Sequence, residues 1–156
     1  MEPSVRTIGI RAGSSFVTFA VFDANENRIV NVETINIPVA LDTPDSLRYI
    51  RNTVLDLLRE YSIERACIRE TEPTAQSSNI QRIQIEAVIQ ESFASSSLTA
   101  YFVGQISSIS SRIGIHRADF KPYVSGEKNL DEVEDWASFD KEEREAILAA
   151  LGARNA

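Results

Sequence analysis

Side-chain character alternates every second position through the first forty residues and then shifts to helical spacing. From Arg6 to Val21, β-branched and aromatic residues form two strand-like runs joined at Ala12-Gly13-Ser14-Ser15. Gly13 in that turn is free to take a positive φ without strain. Between Arg28 and Val39, Ile29, Val30, Val32, Ile35 and Ile37 interleave with polar residues, which predicts a third strand and an antiparallel meander. Asp42 or Thr43 then caps a helix with Pro44 in its first turn. Leu47, Ile50, Val54, Leu57 or Leu58, and Tyr61 recur at helical spacing, with Arg48, Arg51, Asp56, Arg59 and Glu60 on other faces. That is an amphipathic helix lying on a sheet.

Ile63 to Arg69 reads as a short strand, expected to run parallel to the first because a helix precedes it. Glu70-Thr71-Glu72-Pro73 closes it, Thr74 to Ser78 is a polar loop, and Ser77, Ser78 or Asn79 caps a helix from Ile80 to about Phe93. This helix carries Ile80, Ile83 and Ala87 on one face and Ile85, Ile89 and Phe93 on another, the distribution of a centrally packed helix. Leu98 to Val103 predicts a fifth strand, and Gly104 to Arg112 a short helix. From Gly114 to Ser138 periodicity fades into a polar, acidic stretch, mobile or built around a function. Lys141 to Ala153 closes the chain as a helix with Ala146, Ile147, Ala150 and Leu151 on one side. With neither repeats nor a linker, residues 1–156 are expected to form one domain with an irregular acidic segment at about 114–140.

Composition narrows the function classes. At 156 residues and 43% hydrophobic, the chain is long enough to bury a core. No apolar run approaches the ~20 residues of a membrane span, and the opening Met-Glu-Pro-Ser lacks a secretory pattern. The single cysteine, Cys67, excludes an intrachain disulfide and reads as a packed thiol in a cytoplasmic protein. One cysteine and one histidine, His116, cannot supply a four-ligand zinc site, and His116 reads as a surface residue of a polar loop. Glycine-rich nucleotide signatures are missing. Of the net charge of −7, the stretch from Glu127 to Glu145 supplies most, with nine acidic residues against three basic. No global basic surface exists to displace phosphate counterions, so any nucleic-acid role needs a local patch. Two candidates are present. The Ser77-Ser78-Asn79 helix start, with Gln81 and Arg82 after it, offers free N–H groups to an anion as well as ordinary capping. The serine run from Ser107 to Ser111 lies beside Arg112 and Arg117. Trp136, with Phe139, reads either as a partner anchor or as packing of the loop onto the core.

The element order, together with Ile8-Gly9-Ile10-Arg11-Ala12-Gly13-Ser14, resembles the RNase H-like fold and within it the RuvC-like branch of Holliday-junction resolvases. That branch opens with Ile-Gly-Ile-Asp-Pro-Gly-Ser on its first strand. Cys67-Ile68-Arg69-Glu70 and Ile85-Glu86-Ala87-Val88-Ile89-Gln90 are similar to an uncharacterised bacterial RuvC-like family of like length. The resemblance implies an α/β protein: a five-stranded mixed sheet, three strands in an antiparallel meander and two parallel, flanked by helices. It also implies, for active members, carboxylates at the ends of adjacent strands and on the last helix that hold two Mg²⁺ ions about 4 Å apart.

Position by position, the first-strand aspartate of that family corresponds to Arg11 and the fourth-strand carboxylate to Arg69, with Glu70 adjacent. The acidic pair of the last helix corresponds to Glu142 and Glu145, which their spacing puts on one face. A guanidinium has no lone pair and repels Mg²⁺; Arg11 is expected to pair with Glu70, Glu142 or Glu145. The resulting expectation is a catalytically degenerate domain with a remnant cluster (Arg11, Arg69, Glu70, Glu142, Glu145) and no metal or other cofactor. It would act by self-association or on a protein partner, with nucleic acid secondary and no membrane role. RuvC-like proteins often dimerise, and the second helix would serve as core or interface. Binding residues are expected at Ser77, Ser78, Asn79, Arg82 and Arg112. The cleft would be bordered by the acidic Glu127 to Glu145 segment, which disfavours DNA. The alternative is a Mg²⁺-dependent structure-specific nuclease using Glu70, Glu142 and Glu145, with Asp140 a further candidate. Where those carboxylates converge, Arg11→Asp is expected to restore weak Mg²⁺ binding.

Overall fold

A computed structural model describes residues 5–75, 77 and 79–156. Five strands, β1 (Arg6–Ala12), β2 (Phe16–Asp23), β3 (Arg28–Asn36), β4 (Ile63–Arg69) and β5 (Ala100–Gly104), form one sheet in the order β3-β2-β1-β4-β5. The first three pair antiparallel, whereas β4 runs parallel to β1 and β5 parallel to β4. This is the mixed sheet expected from the sequence. The third strand stops at Asn36, short of Val39, and the fifth starts at Ala100, two residues past Leu98.

The helices are α1 (Thr43–Glu60), α2 (Ile80–Ala94), α3 (Ile106–Ile113), α4 (Phe120–Ser125) and α5 (Lys141–Ala153). Strand side chains point alternately to the two faces, and each face has its own core. Ile8, Ile10, Phe19 and Ile68 pack with Ile50 and Val54 of α1 and Ile85, Ile89 and Phe93 of α2. Ala20, Phe22 and Cys67 pack on the opposite face with Ile109 of α3 and Ala146, Ile147 and Ala150 of α5. The last helix is buried on every side from Ala146 onward, not on one side as its periodicity predicted. It lies so close to the sheet that a β carbon on Gly9 would stand 2.1 Å from the Ala146 carbonyl oxygen and 2.2 Å from the Ala150 nitrogen.

Local chemistry sets the element ends. Asp42 is the N-cap of α1, its carboxylate accepting from the Asp45 N–H at 3.2 Å. Asn79 is the N-cap of α2, accepting from the Arg82 N–H at 3.0 Å; Ser77 is exposed, and Ser78 lies outside the described residues. Gly13 donates to the Phe16 carbonyl at 2.8 Å. It does not use the left-handed region predicted for it: the positive-φ glycines are Gly114 and Gly126. Its missing side chain is what matters, since a β carbon there would stand 2.3 Å from the Phe16 ring.

Two expectations are corrected. The second helix is not centrally packed: Ile80 and Ile83 are 73% and 43% exposed and Ala87 is exposed, so one of its two apolar faces meets solvent. The stretch 114–140 is largely ordered into short elements, with 3-10 turns at Arg117–Asp119 and Trp136–Ser138 on either side of α4. Phe120, Leu130, Val133 and Trp136 anchor it in the α5-side core. The Trp136 indole donates to the Tyr123 carbonyl at 2.9 Å. The Arg144 guanidinium donates to the carbonyls of Val124, Trp136 and Ala137 at 3.0, 3.3 and 3.2 Å. Trp136 is thus packing and not a partner anchor. Anchors this unevenly spaced leave no period to read.

Cys67 has no exposed surface, and burial pushes its thiol well above the ordinary range. The native protein is expected to leave this thiol unreacted towards a disulfide reagent over the time in which the guanidinium-unfolded chain reacts fully. Stoichiometric labelling of the folded protein would show that the sheet opens at β4. Among the described residues, no helix is long and apolar enough to cross a membrane.

Candidate functional site

The alternation that buries Ile8, Ile10 and Ile68 under α1 and α2 turns Arg11 and Arg69 to the face covered by α5. The parallel register of β1 and β4 sets them side by side, Arg11 opposite Arg69. Glu145, on the second turn of α5, reaches both. Its carboxylate accepts from Arg11 Nε at 2.7 Å and lies 3.9 Å from Arg69 Nε. The Arg11, Arg69 and Glu145 side chains are only 19%, 6% and 15% exposed, so water screens this triad weakly.

Each member is further tied down. Arg11 also donates to the Ala12 carbonyl at 3.1 Å. Arg69 pairs with Glu72 at 3.2 Å, donates to the Glu70 carbonyl and stands over the Phe120 ring at 5.4 Å. Glu72 in turn accepts from the backbone N–H of Ile106 at 2.6 Å, a carboxylate on the first turn of α3. From α2, Arg82 brings Nε to 2.9 Å from Glu86, whose carboxylate accepts both the N–H and the hydroxyl of Thr71 at 3.0 Å. Burial, and then the adjacent Arg11 charge, lower the Arg82 guanidinium pKa from its ordinary value, with Glu86 and Glu145 opposing. Three arginines from two strands and a helix therefore converge where the resemblance implies carboxylates.

Beside them opens a cavity of about 640 Å³ whose wall carries Arg69, Arg82, Arg117 and Lys121 against two carboxylates, Glu72 and Glu145. A second hollow of about 230 Å³ shares Arg69, Lys121 and Glu145 with it and adds Lys141.

Not every expected residue joins this cluster. Glu70 accepts from the Gln105 amide at 2.8 Å, facing the start of α3 and not Arg11. Glu142 is half-buried, lines neither hollow and, among the described residues, makes no ion pair. Asp140 is the N-cap of α5, with Glu143 completing a capping box. Of the three partners proposed for Arg11, the fold selects Glu145. Ser77 and Asn79 are on the cavity wall with Arg82. Arg112 is not: it stacks 3.9 Å from the Phe102 ring centre and donates to the Ser108 carbonyl at 3.3 Å. The serine run is helical in α3, with Ser110 buried and Ser107 and Ser111 exposed, and it does not line the cavity. Lys121 and Glu72 carry no sequence signal as site residues; the only hint was the four-residue spacing of Arg117 and Lys121.

The acidic segment is also placed differently from expectation. Asp131, Glu132, Glu134 and Asp135 line a separate hollow against Arg28 and Phe22, away from the arginine cluster. Only Glu145 of that stretch lines the 640 Å³ cavity, so the cavity is cation-rich.

A two-metal centre does not fit this donor set. Both strand positions present guanidinium groups without lone pairs, Glu145 is held by Arg11, and Glu70 is turned aside. Among the described residues, no three Asp, Glu, His or Cys side chains gather as metal ligands.

No protein-family model matches this sequence, and no curated protein matches it either. Solved structures do match. RuvC of Thermus thermophilus superposes with a TM-score of 0.68 at 13% identity, over 95% of this chain and 92% of that one. The same protein in complex with a Holliday junction substrate gives 0.68 at 12%, over 95% and 91%. The yeast mitochondrial Holliday junction resolvase Ydc2 gives 0.60 at 13%, over 97% and 78%. At these identities the likeness is one of fold: the chain has the RNase H-like fold of RuvC.

Proposed function

We propose that this chain is a RuvC-like domain that acts by binding and does not cleave. The observation that supports this most is the Arg11–Glu145 ion pair, formed by residues that correspond to two of the metal-holding positions. A cation there would face two fixed positive charges at close range in a poorly solvated site. In such surroundings like-charge repulsion outweighs what the remaining oxygens could return. The fold is shared with a protein solved on a Holliday junction substrate, which makes branched DNA the substrate for the test. Self-association is a second mode of binding, favoured by the solvent-facing Ile80 and Ile83 of α2.

The test is incubation of the purified protein with a four-way junction and Mg²⁺ or Mn²⁺. Intact DNA is the expected result. Cleavage that Glu142→Gln abolishes would overturn the reading in favour of the Mg²⁺ nuclease.

Calorimetry on Arg11→Asp is a separate check. Because Arg69 stays beside position 11 and Glu70 faces Gln105, the variant is expected to take up no Mn²⁺. This reverses the expectation drawn from convergent carboxylates. Saturable uptake would show that the acidic side chains regroup once the guanidinium is gone.

A further inference from the structure

We infer that the 640 Å³ cavity is a metal-free phosphate site, in which Arg69, Arg82, Arg117 and Lys121 receive a phosphomonoester or phosphodiester group. The inference rests on the non-cleaving reading of the same cleft and names its ligand class.

The first support is the pair of partly unsatisfied guanidinium groups on the cavity wall. Arg69 Nε is buried and has no hydrogen-bond partner; Glu145 at 3.9 Å is beyond hydrogen-bond reach. Arg82 Nε, also buried, faces Glu86 at 2.9 Å without an aligned N–H···O bond. Leaving a buried donor of a charged group unpaired is destabilising, and both arginines stand on the wall of one cavity. The Nε atoms themselves are closed to the cavity, so an oxyanion inside it meets the charge of these guanidinium groups and not those two donors.

The second support is charge. Both carboxylates on the wall are already engaged: Glu145 by Arg11, Glu72 by Arg69 and the Ile106 N–H. Among the described residues, Arg117 and Lys121 have no carboxylate partner, and both are exposed at the mouth. The concentrated acid of the chain lies in a different hollow. The interior therefore holds a positive field that is only partly cancelled.

Geometry then chooses the anion. Planar guanidinium forks suit the paired oxygens of a phosphate, and several cations from different directions suit a tetrahedral group better than a flat carboxylate. The volume is that of sites for nucleotide-sized ligands. Such a phosphate reaches the cleft either on a free nucleotide or within a nucleic-acid strand.

The experiment measures binding of adenosine monophosphate, a fluorescein-labelled single-stranded 20-mer and a labelled four-way junction to the full chain in EDTA at low salt. Binding of at least one is expected, weakened about tenfold by Arg117→Ala or Lys121→Ala, since each removes one charged contact. Both side chains are exposed, so these variants are expected to keep the native melting temperature. Arg48→Ala, an exposed change on α1, is the control and leaves affinity unchanged. Binding by the nucleotide alone assigns a free nucleotide; binding by the DNA alone assigns a strand backbone. No binding by any probe, affinity indifferent to Arg117 and Lys121, or affinity lost in EDTA and restored by Mg²⁺ would overturn the inference. Cleavage of the junction in Mg²⁺ is scored separately and bears on the non-cleaving reading, whereas absent binding without cleavage removes this inference alone.

Discussion

Gly9→Ala is expected to unfold the domain or to cost about 4 kcal/mol or more of stability, the range reached only by severe core defects. Gly9 is central in β1, paired with Ala20 on one side and Cys67 on the other. Its β carbon would meet the Ala146 oxygen at 2.1 Å, the Ala150 nitrogen at 2.2 Å and the Ala149 carbonyl carbon at 2.8 Å. All three are backbone atoms, so no side-chain rotation relieves the overlap. The helix has to withdraw, which breaks the Thr7 hydroxyl to Ala150 carbonyl bond of 2.7 Å and carries Glu145 away from Arg11. For a domain of this size the melting temperature should fall by about 10–15 °C, read by circular dichroism. A variant that melts with the native protein would show that α5 does not rest on β1.

Trp136→Ala is expected to cost about 3–5 kcal/mol, the usual range for emptying a buried aromatic site. The indole is almost fully buried, packs in one core with Phe120, Leu130 and Val133, and satisfies the Tyr123 carbonyl. Truncation leaves a void and an acceptor without its donor. The urea midpoint of the alanine variant, followed by circular dichroism, should drop accordingly, while Trp136→Phe keeps most of the packing and loses less. A midpoint unchanged by the alanine substitution would return Trp136 to the role of a surface anchor. The defect has a functional reach. Phe120 shares this core and is adjacent to Lys121, so loosening it should also weaken the phosphate binding proposed for the cleft.

These effects bear on which features local sequence could show. The meander, the two helix starts and the parallel placement of β4 were readable, because they depend on side-chain period and short-range hydrogen bonds, although only the structure chose Asp42 and Asn79 among the candidate caps. The departure at Arg11 was readable too, since a cation stands where the resembling motif has an aspartate. The arginine pairing was not. Glu70, Glu142 and Glu145 are chemically alike, and Glu145 is 134 residues from Arg11.

Distances in the chain explain the other departures. Arg112 stands beside the serine run in sequence, yet its stacking on Phe102 of β5 takes it out of the site. Lys121 sits in a stretch without periodicity, and Phe120, Leu130 and Trp136 place it only by burying themselves under α5. The acidic cluster was visible as a charge count, but a count has no direction. In the fold it faces β2 and β3 at Phe22 and Arg28, so that of its acids only Glu145 reaches the arginines.

Residue order alone therefore settled the strand succession and every helix but the short one at Phe120–Ser125, each governed by neighbours a few positions away, and it put a guanidinium where the resembling motif has an aspartate. Packing of α5 across β1 decided the rest: which glutamate meets Arg11, where the acids go, and that four cations share one cavity. Those outcomes depend on contacts between distant segments, whose geometry exists only after the sheet and its covering helix have closed on each other.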